Sequence, residues 1–472
     1  MSFRHIELDL TESEKTPLTH AFIYGENGSG KSNLIESMLF LKESIRTLNN
    51  TNAFNQLRDS TALPNTSPKM DPKKRAGKVP LKKSPMHMPP DVQNIMNTIG
   101  ALGSLLSDLS LLVEGIRTVD SEEGVSVSYR FVIGGRDGHY EMKFGPDNLL
   151  IYEKLSYIVE QRVNDIFEIN ASETFGAPPR RIMNTRFSPS LFKNRSYEKT
   201  INDLTQKYWG RHSFLSIMTD QYAANNPQYM EESIGTGIAE VIRYFNDSVV
   251  YCNYSDGNVG TGISNRILAS LSGGYILPSE KTQLLAYEDA LNDFFTRIYS
   301  DIKRVYYRIE PTAGPKLQYT LCFSKMIGGS RREIEIFRES TGTMKLLTLF
   351  PAFYECARGK TVFYDELDSG IHDVLIKEII SEIKGTFKGQ FVATTHNISL
   401  FEVIEPKNVF VIQVDPRGNK RVVSINSIER TQQNHNNRIR YVNGVFGSIP
   451  IMGVIDFDDI VQNTETSLGG GV

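Results

Sequence analysis

Lys31 and Ser32 end an eight-residue run, Gly25, Glu26, Asn27, Gly28, Ser29, Gly30, Lys31 and Ser32, that spells G-x-x-x-x-G-K-S. Small and glycine positions let successive backbone N–H groups point into one concavity at a helix N-terminus, where they meet phosphate oxygens. Lys31 is then set to reach the β- and γ-phosphates of a nucleoside triphosphate, and Ser32 to offer its hydroxyl to Mg²⁺. ATP and Mg²⁺ are the expected ligands.

A second chemically competent group lies far downstream. The run Thr361, Val362, Phe363, Tyr364 ends in Asp365 and Glu366, as expected for a buried parallel strand with acids at its carboxyl end. Asp365 is expected to hold Mg²⁺, directly or through water, and Glu366 to orient and deprotonate the attacking water. Asp368, Ser369 and Gly370 come next. Val392 to Thr395 then reads as another apolar strand, ending in His396 and Asn397, and a histidine there can hydrogen-bond the γ-phosphate. The thirty residues from Glu366 to His396 fit one β-α-β crossover through a helix over Val374–Ile383. Acids or a histidine at a strand end are common capping residues when met alone; the P-loop upstream gives them their meaning. Between the two groups, Glu339, Ser340, Thr341, Gly342 and Thr343 precede an apolar helix opened by Leu346 and Leu347. Serine and glycine at a helix N-terminus make a second anion site, most useful if it closes over the nucleotide of a neighbouring copy.

The elements that must position these residues follow from periodicity. Met1 to Leu10 reads as an edge strand, Thr11 to Thr19 as its turn, and Ala21 to Tyr24 as the P-loop strand. Leu34, Ile35, Met38, Leu39, Leu41 and Ile45 keep helical spacing up to an Asn-rich turn at Leu48 to Asn52. Residues 50–90 are rich in Asn, Ser and Pro and then in Lys and Arg (Lys69, Lys73, Lys74, Arg75, Lys78, Lys82, Lys83). This stretch reads as a solvated loop or as a basic finger for nucleic acid or an acidic partner. Residues 91–117 are helical by pattern, and Val125 to Phe144 reads as a β-hairpin around Gly134–Gly138. Residues 154–305 read as mostly helical, including an amphipathic stretch from Leu284 to Val305, with strands returning at Tyr306. The expected fold class is α/β, with a nucleotide-binding core at 1–48 and 306–430. A basic loop at 49–90, a helix and antiparallel subdomain at 91–153, an inserted helical lobe at 154–305 and a tail at 431–472 complete it.

Composition narrows the function classes. The chain has 472 residues and a net charge of −3, so any nucleic-acid site must be local. Cys252, Cys322 and Cys356 lack metal-ligand spacing and read as small buried hydrophobes in a reducing compartment. With no bilayer-length apolar run and no signal-peptide layout, a cytoplasmic protein is expected. In the tail, Asp456, Asp458 and Asp459 read as an exposed acidic stretch that could contact a basic partner, and Gly469 to Gly471 as linker.

The order P-loop, S-x-G-T before a helix, apolar-D-E-L-D and T-T-H-N resembles the ABC-type ATPase heads related to the chromosome-maintenance and RecF proteins. Within them, the runs G-E-N-G-S-G-K-S-N-L and E-S-T-G-T-M-K-L-L, and R-Y-V-N-G-V-F-G-S-I-P at Arg440 to Pro450, are similar to the abortive-infection AAA ATPases of bacterial phage defence. The resemblance implies an ATPase that works as a head-to-head dimer with two nucleotides at its interface. Lys31, Ser32, Asn33, Asp365, Glu366 and His396 of one copy would face Ser340, Gly342 and Thr343 of the other, with Asp368 linking the sites. It also implies a homo-oligomer that senses infection, response to a phage-encoded trigger, and control of a separate TOPRIM-type nuclease. The alternative is a RecF-like repair ATPase that clamps DNA, which needs a basic track; the sequence offers the cluster at 69–83 and Lys193 to Arg195. A third reading, the chain as a nuclease itself, needs a metal domain after His396, for which residues 397–472 leave little room. Two departures stand out. Only Ser2, Phe3, Arg4 and His5 remain of an expected N-F-R-S-F type strand, so the start is expected to be short or to lie upstream. Glu339 and Thr341 replace residues of the transporter L-S-G-G-Q, which points away from a transporter.

Overall fold

The computed structural model describes residues 5–13, 16–61, 108–118, 123–159, 162–173, 181–254, 257–428, 436–449 and 455–467. A short hairpin, β1 (Thr11–Ser13) and β2 (Thr16–Pro17), leads into β3 (His20–Tyr24), the P-loop and helix α1 (Lys31–Ser44). Helices α2 (Thr47–Thr61) and α3 (Leu109–Ile116) precede β4 (Val125–Ile133), β5 (Arg136–Phe144), β6 (Leu150–Val159), β7 (Arg162–Glu173) and β8 (Arg181–Phe187). Helices α4 (Arg195–Tyr208), α5 (Phe214–Ala224), α6 (Pro227–Ser233) and α7 (Thr236–Asp247) return the chain to β9 (Val249–Tyr254) and β10 (Gly257–Thr261). Then come β11 (Gly273–Ile276), α8 (Lys281–Ile298), β12 (Ile302–Pro311), β13 (Leu317–Ile327) and β14 (Ser330–Glu335). The last part holds α9 (Thr341–Ala357), β15 (Val362–Tyr364), α10 (Asp373–Ile383), β16 (Phe391–Thr394), β17 (Val409–Val414) and β18 (Lys420–Ser424). It ends with α11 (Ile425–Ile428), α12 (Asn437–Val442) and α13 (Phe457–Ser467).

The central sheet has the order β10-β9-β15-β16-β3-β17-β18. Its five inner strands are parallel, and β10 and β18 close the edges antiparallel. Alternate residues of each inner strand serve two cores, which is why these strands read as unbroken apolar runs. Phe22, Tyr24, Val362, Tyr364 and Phe391 pack with α9 and α10 on one side. Ala21, Ile23, Phe363, Val392 and Phe410 pack against Leu34 and Ile35 of α1 on the other. The carboxyl ends of all five inner strands therefore share one edge, where open α/β sheets place their ligands. A smaller antiparallel sheet is built from β11, β12, β13 and β14. The third sheet is an antiparallel meander, β4-β5-β6-β7-β8, packed with α3, α4, α5, α7 and the far end of α1 in a core of its own.

The expected α/β class with an antiparallel subdomain and an inserted helical lobe is the fold observed, and the 125–144 hairpin pairs Val125 with Phe144. The boundaries differ. Within 154–305 the helical lobe is confined to 195–247; β6, β7 and β8 precede it, and β9 and β10 belong to the central sheet. The amphipathic stretch from Leu284 ends at Ile298, and the next strand starts at Ile302. The Asn-rich stretch at 48–52 is helical, because Leu48 N and Thr47 Oγ1 donate to Ser216 Oγ and Asn52 Nδ2 donates to Asp220, docking α2 on α5. Residues 5–10 form no strand; the pairing starts at Thr11. The basic cluster at 69–83, residues 91–107, the Ser2 to Arg4 part of the first-strand run and the glycine tail lie outside the described residues.

Candidate nucleotide-binding site

The P-loop joins β3 to α1 in the conformation its glycines allow. Gly28 and Gly30 have φ of 79° and 101°, and Gly30 is the left-handed cap of α1, with no side chain bonded to the helix end. The first N–H groups of the helix are thus left for an anion. A Cβ on Gly25 would stand 2.5 Å from Ser29 Oγ and 3.2 Å from Ile412 Cβ, so only glycine fits where the loop leaves the strand. Lys31 is buried and bends back on its own loop, its Nζ donating to Gly25 O at 2.9 Å and Glu26 O at 3.1 Å. Burial lowers its pKa, against the opposing pull of Asp365, Glu366, Asp368 and Glu26. Ser29 Oγ is buried without a partner. A loop holding one orphaned hydroxyl and a cation satisfied only by carbonyls fits a phosphate chain, which would take up both.

Asp365 is 4% exposed at the end of β15. Thr394 Oγ1 donates to its Oδ1 at 2.6 Å. Burial raises its pKa, and hydrogen bonds from Thr394 and Ser32 oppose the rise. Asp365 and Ser32, far apart in sequence, thus meet as a pair of hard oxygen donors suited to Mg²⁺. Glu366 has φ of 52°, a left-handed conformation rare outside glycine, and its N–H donates to Thr394 Oγ1 at 2.8 Å. His396 is exposed at the end of the neighbouring strand; burial of its ring surroundings and the Lys31 charge lower its pKa, which favours neutral imidazole. Asp368 accepts from Thr395 Oγ1 at 2.7 Å and from the His396 N–H at 3.2 Å, tying the turn after β15 to the end of β16. Asn397 is capped into the same edge, its carbonyl accepting from Tyr24 Oη at 2.8 Å.

The second anion site is built differently. Ser340 is the cap of α9: its Oγ accepts from Thr343 N at 3.2 Å and lies 2.9 Å from Thr343 Oγ1. Glu339, just before it, is buried and paired with Lys325 Nζ at 3.1 Å, while its Oε1 has no partner. Gly342 faces Gly370, since a Cβ there would lie 3.2 Å from Gly370 O. The turn after Glu366 is thereby in contact with the start of α9.

Of the remaining expected residues, Glu26 is half-buried, Asn27 is exposed and Asn33 lies in the first turn of α1. Sequence reasoning missed four participants. Thr394 and Thr395 carry the hydrogen bonds that orient Asp365, Glu366 and Asp368, and their place at a strand end beside His396 was the available signal. Lys420, on edge strand β18, donates to Gly28 O at 2.7 Å, and Lys325 holds Glu339; nothing in their local sequence marks either. Asp456, expected as part of an acidic tail, is the cap of α13, accepting from Asp459 N at 3.0 Å. No group of three or more metal-ligating side chains occurs among the described residues, and no helix there is long and apolar enough to cross a membrane.

The fold and this edge define an open, mainly parallel α/β sheet with a P-loop and two acids at the carboxyl ends of its strands, the layout of a nucleotide-binding site. A family model described as "AAA domain, putative AbiEii toxin, Type IV TA system" matches residues 258–402, less than a third of the chain, a stretch that carries Ser340, Asp365, Glu366, Asp368 and His396. No curated protein matches the chain. Among solved structures, it is similar to an Smc head bound to the C-winged helix domain of ScpA, at 14% identity and a TM-score of 0.35, over 86% of this chain and 89% of that one. A Pyrococcus furiosus Smc head with an extended coiled coil, bound to the C-terminal domain of ScpA, gives 13% and 0.33 over 86% and 89%. The head domain of a Thermotoga maritima SMC protein gives 13% and 0.23 over 62% and 74%.

Proposed function

We propose that this chain binds and hydrolyses ATP with Mg²⁺ in the cytoplasm, and that two heads close on two nucleotides. The observation that carries the reading is the meeting of Lys31, Ser32, Asp365, Glu366 and His396 at one sheet edge, beside an exposed second helix N-terminus at Ser340. Lys31 leaves its two carbonyls for the β- and γ-phosphates. Ser32 Oγ and Asp365 would hold Mg²⁺, which neutralises phosphate charge when bound. The Glu366 carboxylate accepts a proton from the attacking water, and neutral His396 donates a hydrogen bond to the γ-phosphate. Ser340, Gly342 and Thr343 of a second copy supply further donors, with Asp368 between the sites.

Beyond the head, we read the chain as the sensor and scaffold subunit of an anti-phage system that restrains a separate TOPRIM-type nuclease, similar in layout to AriA, the ATPase subunit of the PARIS system. The family model's description, "putative AbiEii toxin, Type IV TA system", supports this part. The test is mass determination of the Glu366→Gln variant with and without ATP and Mg²⁺, followed by purification from the native operon. An ATP-dependent dimer and a co-purifying nuclease are expected. A monomer at saturating ATP would overturn the sandwich, and a lone dimer that shifts DNA would favour the repair-clamp alternative.

A further inference from the structure

Two exposed surfaces near the C-terminus complement each other. Helix α13 is exposed at every residue, and Phe457, Ile460 and Val461 recur at helical spacing as one apolar stripe, Phe457 being 69% exposed. Asp456, Asp458 and Glu465 flank that stripe and Asp459 lies behind it, with no Lys or Arg between 455 and 467. Upstream, α12 presents Ile439 and Val442, three residues apart and 56% and 55% exposed, followed by exposed Val445. Residues 436–449 contain Arg438 and Arg440 and no acid; Arg438 is paired with Glu402 at 2.8 Å, and Arg440 lies over the Phe446 ring. One surface is apolar with a negative rim, the other apolar with a rim of Arg440 and the Glu402 carboxylate shared by Arg438 and Lys377, which leaves it net positive. Within one chain neither covers the other, although only residues 450–454 separate their described segments.

We infer that α13 of one copy docks on the Ile439/Val442/Val445 patch of a second copy. The contact is heterologous, patch to arm, so it closes by mutual exchange or runs on into a ring. It is distinct from nucleotide-mediated closure and needs no ligand. It also reaches the nucleotide edge. Tyr441, on the inner side of α12, packs edge-on to Tyr24 at 5.5 Å and against Phe401 at 5.0 Å, and Tyr24 immediately precedes Gly25. An arm seated on α12 is therefore one aromatic layer from the P-loop.

The test uses the full chain in nucleotide-free buffer, so it is independent of the sandwich reading. Two differently tagged chains, one Val442→Cys and one Ile460→Cys, are mixed under mild oxidation; the native cysteines are buried and stay silent. A disulfide-linked heterodimer is expected, well above that given by Gln462→Cys on the opposite face of α13. In parallel, sedimentation equilibrium of Asp458→Arg/Glu465→Arg should show self-association weakened by roughly tenfold, with Arg440→Glu restoring it. Cross-linking no better than the control, or a monomer at every concentration, would each overturn the inference.

Discussion

The two helix N-termini of the candidate site look alike in sequence and differ in construction. The start of α1 is left open: its cap is a left-handed glycine, its lysine is held only by loop carbonyls, and a hydroxyl beside it is orphaned. The start of α9 is closed: Ser340 caps it, and a buried Lys325–Glu339 pair braces the residue before the cap. An anion site filled within its own chain can stay unsatisfied until the ligand arrives. A site offered to a neighbour must keep its shape with nothing bound, so its cap is satisfied from inside, and the orphan left at this end, Glu339 Oε1, is an acceptor rather than a donor to an anion.

Several substitutions set that contrast at risk. The largest effect is expected for Glu366→Gln, which should slow hydrolysis by roughly 10² to 10⁴ with nucleotide affinity retained, measured as phosphate release alongside binding of a fluorescent ATP analogue. Lys325→Met leaves the Glu339 carboxylate buried without its cation and should cost about 3 kcal/mol of stability, read as a lower Tm. The same variant should still bind nucleotide; loss of binding with an unchanged Tm would erase the distinction between the two ends. Lys31→Ala does the reverse, weakening nucleotide affinity by roughly 10²-fold in titration calorimetry while leaving Tm close to the parent. Ser340→Ala removes one cap and should cost about 1 kcal/mol, with binding to the isolated head unchanged.

The smallest and most diagnostic change is with pH. In the proposed site Mg²⁺ would need the Asp365 carboxylate ionised, and burial raises its pKa above the ordinary 3.8. Mg²⁺-dependent affinity should thus fall on acidification at a pH above that of a free aspartate. At the other end burial lowers the Lys325 pKa, but the hydrogen bond and charge of Glu339, with Asp301, outweigh it and hold the pKa above 10.5. Lys325 therefore stays protonated throughout the titration, so its contribution to Tm should not follow the affinity curve.

The sequence made the α1 end and the acids after β15 legible because their chemistry is local: a phosphate loop and a strand end are written in consecutive residues. The β6–β8 strands were illegible for the opposite reason. Glu153 stands at a fully buried position of β6, where an apolar residue would have kept the alternation visible, and the register shifts after Leu155. Its carboxylate is satisfied by Tyr140 Oη, Trp209 Nε1 and the N–H groups of Phe214 and Leu215, and burial still raises its pKa to about 7. Those partners sit up to 62 residues away, so no local window could have shown that an acid belongs in that core. Lys42 is a second example. It is fully buried in α1, where Asn246 O and Ser248 O at the end of α7 accept from it, and these partners are visible only once the lobe has folded against the helix.

The left-handed backbone at Glu366 sets durability against work. Glycine would sit at that angle with about 1 kcal/mol less strain, and asparagine with less than glutamate. On the role proposed for Glu366, random substitution at this codon would therefore yield a hardier molecule that no longer turns over. A laboratory screen that rewards heat resistance alone would enrich such dead winners, so any effort to evolve a tougher version of this chain has to select on phosphate release at every round.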